Sequence, residues 1–300
     1  MKHLSILSLA SLATLIACGG SSPKPPTYVK PAGTVAVNFS VDDTANKVFA
    51  DKDLQWKGAM TYDAATQKVT PDPSWSGPWA PLYDDGAWTS GGHEPAGANA
   101  GDHIFGAVVF ITPPASGSQA YEYGLVDASA PYNGGWLWAG SNGTFTVPAG
   151  ATADIKADGQ ALKKFGTTDL QLVIDTNNLD AAHAWDTSKV TIKGSGWAWY
   201  EQQLLDNGAK GDATASDKKF TFVLSQYVGA GSPLPHTGLL NAGDQAQFIF
   251  VFNGVEYKNA NGAATQGITA ATKASGASSF TPVTVQLQTT GDKNTYVTVP

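Results

Sequence analysis

Apolar and polar positions alternate with period two through much of this chain, while the period-3.6 signal of an amphipathic helix is weak everywhere. Val37-Asn38-Phe39-Ser40-Val41-Asp42 and Leu170-Gln171-Leu172-Val173-Ile174-Asp175 read as strands that run into turn-forming Asx residues. Ile104 to Ile111 is a continuous apolar run, the pattern of a strand buried on both faces. Residues 247–252 lead through Asn253-Gly254 into Val255-Glu256-Tyr257, and Asn-Gly between β-forming residues is the strongest short hairpin signal. Residues 220–224, 144–147 and 284–287 also read as strands, and single helical turns are expected at 159–164 and 200–205. Short strands with frequent turn signals predict an all-β chain built as β-sandwiches.

The pattern is stated twice. Asp42 precedes Lys57-Gly58 by 15 residues, and Asp175 precedes Lys193-Gly194 by 18. Leu82-Tyr83-Asp84-Asp85-Gly86 is answered by Leu204-Leu205-Asp206-Asn207-Gly208, and Asp102-His103-Ile104-Phe105 by Asp217-Lys218-Lys219-Phe220. Tyr121-Glu122-Tyr123 matches Val255-Glu256-Tyr257, and Phe145-Thr146 matches Phe280-Thr281, with order kept throughout. This predicts two tandem immunoglobulin-like modules, at 33–165 and 166–300, each of ordinary domain size. The copies differ in two loops. Between the Lys-Gly and Asp-turn motifs the first copy spans 25 residues (57 to 82) and the second 11 (193 to 204). The longer loop carries Tyr62, Trp75 and Trp79; the second copy has its own insertion later, at Pro233-Leu234-Pro235-His236.

Residues 1–17 read as a signal peptide: a basic start, an apolar stretch too short to span a bilayer, then Leu15-Ile16-Ala17-Cys18. That last motif resembles a bacterial lipobox, which implies cleavage before Cys18 and a diacylglycerol on its sulfur. Cys18 is the only cysteine, so a disulfide framework is excluded. Residues 18–32 read as a lipidated start followed by a Pro-, Gly- and Ser-rich tether. Gly19 rather than Asp follows the cysteine, so the expected location is the outer membrane of a Gram-negative envelope.

Composition narrows the function further. Only 14% of residues are charged, the net charge is −7 and no basic cluster exists, which argues against nucleic acid. Thirty-three Gly, 17 Pro and 9 Trp suit a turn-rich secreted β protein.

The second copy has a cadence: Lys193-Gly194-Ser195-Gly196-Trp197, then the acidic turn at Asp206, the strand Lys219-Phe220-Thr221-Phe222, and Glu256-Tyr257-Lys258. It resembles the immunoglobulin-like starch- and glycogen-binding modules. The resemblance implies that Trp197 is a sugar platform with Lys258 as a hydrogen-bonding neighbour, while Thr61 stands where the first copy should place that Trp. Independently, Trp75 and Trp79 lie in a Pro- and Gly-rich loop where no strand face explains them, and flat rings stack on pyranose faces with little entropy lost. Trp197 and Trp199, like Trp136 and Trp138, have period two, so each pair is either a platform or core.

Asp84 and Asp85, and Asp206, Asp212 and Asp217, are candidate oxygen ligands for calcium, though no EF-hand or nonapeptide spacing is present. His93-Glu94 and Asp102-His103 lie close together in a glycine-rich stretch and are a candidate metal or acid–base cluster, but they lack the His-Glu-x-x-His spacing, and no nucleophile elbow or phosphate loop occurs, so catalysis finds no support. The expectation is a non-catalytic envelope lipoprotein that binds a polysaccharide through exposed aromatic residues. The competing expectation is a structural or adhesive lipoprotein that binds an envelope protein.

Overall fold

The computed structural model describes residues 29–128, 137, 142–261 and 265–300. The signal peptide, Cys18, all but the end of the tether, and the pair Trp136 and Trp138 lie outside the described residues.

The chain is all-β. The first half supplies β1 (Val35–Asp42), β2 (Leu54–Gly58), β3 (Met60–Asp63), β4 (Lys68–Pro71), β5 (Ala80–Pro81), β6 (Ile104–Ile111), β7 (Ser118–Asp127), β8 (Gly143–Pro148) and β9 (Ile155–Ala161). The second supplies β10 (Asp169–Asp175), β11 (Val190–Gly194), β12 (Gln202–Leu204), β13 (Lys219–Val223), β14 (Gln245–Phe252), β15 (Val255–Tyr257), β16 (Ile268–Lys273), β17 (Thr281–Val283), β18 (Gln286–Leu287) and β19 (Thr295–Thr298). The first half forms two sheets, ordered β3-β4-β6-β1-β9 and β5-β2-β7-β8. The second forms β13-β10-β16-β17 and β12-β11-β14-β19-β18, with β15 on β14.

Inward residues of each pair of sheets meet in one apolar cluster, and the two clusters share no residue. Phe39, Trp56, Phe105, Tyr123 and Phe145 fill the first; Leu172, Trp197, Phe222, Phe248 and Phe252 fill the second. Each fully buried large apolar side chain contributes about 1.5–3 kcal/mol. Strand β2 alternates buried and half-exposed residues, whereas β6 is buried at seven consecutive positions. The second face of β6 is covered: Ala36, Val108 and Phe110 pack under Trp88, which comes from the loop before the strand.

Four of the six sequence echoes are structural. β1 and β10 are the partners of β6 and β13, and β2 and β11 are the partners of β7 and β14. The ladders pair Gly58 with Tyr123 and Gly194 with Phe248, so Tyr123 corresponds to Phe248 and not to Tyr257. Phe145 lies on β8 beside β7, whereas Thr281 begins β17 beside β16, in a different sheet. These two echoes are therefore coincidences of composition. The outer strands diverge as well: β9 runs parallel to β1, and β16 antiparallel to β10.

Neither expected helical turn forms: residues 159–161 belong to β9 and 202–204 to β12, because ladder partners on β1 and β11 are available and override weak local preference. The Asn-Gly hairpin forms as expected, with Asn253 and Gly254 at φ 44° and 89°.

The halves touch through named contacts. The Asn241 side chain donates to the Lys164 carbonyl at 2.8 Å, and Lys163 pairs with Asp244. His236, from the insertion peculiar to the second half, reaches Asp53 at 3.2 Å and Asp127 at 3.1 Å. Its ring packs on Phe49, 4.9 Å between centroids.

Candidate functional site

The extra length of the first half's loop is a hairpin followed by a knot. β3 and β4 pair with each other, and β4 extends the sheet alongside β6. Asp72 then gathers the return. Its carboxylate accepts from the Ser74 amide at 3.0 Å, the Ser74 hydroxyl at 2.5 Å, the Ser76 amide at 3.3 Å and the Ser76 hydroxyl at 2.8 Å. The Thr61 hydroxyl on β3 adds a contact at 3.3 Å. These donors, the Ser74 and Ser76 hydroxyls first, hold the carboxyl well below the usual carboxylate range.

Within this knot Trp75 sits at φ 59°, a left-handed conformation that costs a non-glycine residue about 1–2 kcal/mol. Trp75 and Trp79 are both half-exposed. The Lys57 ammonium lies 4.5 Å from the centre of the Trp79 ring, and burial lowers the Lys57 pKa.

Trp197 behaves differently. It has no exposed surface; its ring packs on Phe222 at 4.4 Å between centroids, and its Nε1 donates to the Tyr200 carbonyl at 3.0 Å. The sugar-platform role that the family resemblance implied is therefore corrected, since a ring enclosed on all sides offers no face for stacking. The first half fills the same place with Met60 rather than Thr61. A Cβ at Gly58 would stand 2.3 Å from the end of Met60, and one at Gly194 would stand 2.3 Å from the Trp197 ring. Each glycine is the hollow into which the following turn lays its plug.

Lys258 is half-buried and ion-pairs with Glu256 at 2.7 Å; Glu256 also binds Lys193. The Lys193 contact first, then Lys258, lowers the Glu256 pKa. Lys258 thus belongs to an ion-pair chain with Glu256 on β15 and Lys193 on β11, and it does not line the cleft described next.

Trp199 is half-exposed and held by two successive left-handed residues, Ala198 at φ 57° and Trp199 at φ 62°. It faces a cleft of about 390 Å³ between the halves, walled by Phe49, Leu162, Phe165, Leu239 and Leu240. A second groove, of about 340 Å³, runs beside Trp185. That ring is enclosed by Phe252, Tyr257 and a stacked His183, so little of it is available to a ligand.

The acidic turns form two matching knots. Asp84 accepts from the amides of Gly101, Asp102 and His103 at 2.8–3.0 Å; Asp206 accepts from those of Asp217 and Lys218 at 3.1 and 2.8 Å. Gly86 donates to Glu94 as Gly208 donates to Asp212, and His103 and Lys218 share a positive φ. Carboxylate oxygens converge in two groups, Asp84, Glu94 and Asp102, and Asp206, Asp212 and Asp217, each within 4.8 Å.

The calcium expectation is corrected at Asp85, which turns away to bind His93 at 2.5 Å; Glu94 and Asp102 complete the first group instead. A hard cation would find its oxygen ligands in either group. The N–H bonds already give these carboxylates a structural role, closing the turn that leads into β6 or β13. Glu94 is 1% exposed, and its pKa is pushed up to about 8, by burial first and then by Asp84, Asp102 and Asp85. His93 stacks flat on Tyr83 at 3.8 Å and is held by Asp85, the geometry of a packed loop.

Sequence reading set Glu94 beside Asp102 but not beside Asp84, because Glu94 stands 8 residues after Gly86, whereas Asp212 stands 4 after Gly208. Thr237 and Leu240 carried no local signal, because the cleft they line is made by the meeting of the halves.

No protein-family model matches the chain, and no curated protein matches it. Among the described residues no helix is long and apolar enough to cross a membrane.

Proposed function

We propose that this chain is a non-catalytic glycan-binding lipoprotein, held at the outer membrane by lipid on Cys18, with the 72–79 loop as its binding platform. The observation that carries the reading is the way Trp75 is held. A half-exposed indole sits in a strained backbone conformation that Asp72 fixes through its bonds to Ser74 and Ser76. Local strain that the surroundings over-determine is concentrated at functional sites. A ring fixed before the ligand arrives loses little entropy on stacking.

Trp79, with the Lys57 ammonium against one face of its ring, supplies the second ring. The platform belongs to the first half alone, because the second has no counterpart of the inserted hairpin. A polysaccharide with neutral, equatorial-rich pyranose faces, starch or glycogen among them, suits stacking on a surface with one ammonium. Affinity electrophoresis through gels of starch, glycogen, xylan or β-glucan tests this. Retardation by one of them that is lost in Trp75→Ala is the expected result; migration unaffected by all four would overturn the reading.

A further inference from the structure

The cleft between the halves is built for something other than a sugar. Its walls are apolar: Phe49, Leu162, Phe165, Trp199, Leu239 and Leu240. Its size lies within the range of small-molecule sites, which are mainly apolar with a few placed polar groups. Two features mark it as more than a packing gap. Trp199 is presented to it by consecutive left-handed residues, each carrying strain of about 1–2 kcal/mol. Thr237, which lines the cleft, is 8% exposed, and among the described residues its Oγ1 has no hydrogen-bond partner. A buried hydroxyl without a partner is disfavoured by about 1–3 kcal/mol unless something supplies the bond. The close wall at Thr237 also depends on its neighbour, since a Cβ at Gly238 would stand 2.1 Å from the Phe165 ring.

The remaining polar groups of the lining decide the ligand class. Asp244 is taken by Lys163 and by the Asn241 amide at 2.9 Å. The Asn241 side chain donates to the Lys164 carbonyl at 2.8 Å, and Ser195 Oγ accepts from the Gln247 amide at 2.9 Å. A pyranose, with several hydroxyls on each ring, would find these partners already engaged. Lys164 is the exception: its side chain is exposed at the cleft, and among the described residues its ammonium has no ion-pair partner. The exposed Gln245 amide lies on the same rim.

We infer that the inter-half cleft binds an anionic amphiphile, an apolar chain or ring system with a single carboxylate. The apolar body lies against Trp199 and the leucines, and the carboxylate meets Lys164 in a charge-assisted hydrogen bond. The Thr237 hydroxyl donates to a carboxylate oxygen or to a polar atom close behind it. This site is separate from the 72–79 loop and stands or falls independently of the glycan reading.

The test is calorimetric titration of the mature chain carrying Cys18→Ser, prepared without detergent, with dodecanoate, with dodecylamine as the cation of equal chain length, and with maltoheptaose. The expected result is saturable one-to-one binding of dodecanoate, with dodecylamine at least tenfold weaker. Lys164→Gln should weaken dodecanoate at least tenfold and Thr237→Val about fivefold, while Trp75→Ala leaves it unchanged. Lys164 is exposed, so its variant keeps the test sound should Thr237→Val fail to fold. Equal binding of the two amphiphiles, no binding of dodecanoate, or indifference to Lys164→Gln would overturn the inference. Maltoheptaose displacing dodecanoate would also overturn it, by making the cleft a sugar site.

Discussion

The two halves solve one folding problem with different parts. Behind a Lys-Gly strand end, the first half drops Met60 into the hollow over Gly58 and then grows a hairpin; the second drops Trp197 over Gly194 and returns at once. Trp197 is therefore the partner of a methionine, a plug rather than a platform. Trp75 has no counterpart in the second half, and it is the ring on which the proposed glycan site rests. What recurs in both halves holds the sheets together, and what occurs once is where the proposed binding site is placed.

The largest expected effect tests the plugs. Trp197→Ala should destabilise the second half by about 3–5 kcal/mol and Met60→Ala the first by about 2–5 kcal/mol, read from thermal or denaturant unfolding. A Trp197→Ala protein with an unchanged midpoint and lost glycan binding would break the comparison.

Next come the aspartate knots. Asp84→Ala and Asp206→Ala each strand amide donors in the turn before β6 or β13, and each should cost about 1–3 kcal/mol. Near-equal values would sharpen the equivalence, whereas a loss confined to one half would show that the other turn stands without its carboxylate.

Glu94 distinguishes the knots by pH. Its folded pKa of about 8 lies above the ordinary 4.5, so between these values the folded state binds more protons than the unfolded. Stability from this group is complete below about pH 4.5 and is lost as pH rises through 8. In EDTA-treated protein, Glu94→Gln should flatten that part of the stability profile; an unchanged slope would assign it elsewhere.

The smallest effect on stability is expected at the platform. Trp75→Ala leaves the left-handed backbone in place and removes only a half-exposed ring, so it should shift unfolding by no more than about 1 kcal/mol. A larger shift would make Trp75 part of the scaffold.

Much of this architecture was legible in the sequence because strand periodicity and turn chemistry are local. The strand 104–111, buried from Phe105 on, the Asn-Gly hairpin and the Asp-turn echo all appear where the residues put them. What was not legible depends on partners distant in the chain. β9 and β12 are strands only because β1 and β11 lie beside them, and the burial of Trp197 depends on Phe222 and on a glycine hollow. Alternating Trp197 and Trp199 were expected to share a face; a short 3-10 turn and two left-handed residues place one in the core and the other at a cleft. Short echoes such as Glu-Tyr failed for the opposite reason, being common residue pairs in any strand.

The measurement that tests the central claim most directly is affinity electrophoresis of the wild type, Trp75→Ala and Trp197→Phe side by side in the polysaccharide gel that retards the wild type. The prediction is that Trp75→Ala runs free with an unchanged melting temperature, while Trp197→Phe melts lower yet is retarded like the wild type. Retardation kept in Trp75→Ala and lost in a folded Trp197→Phe would contradict the claim.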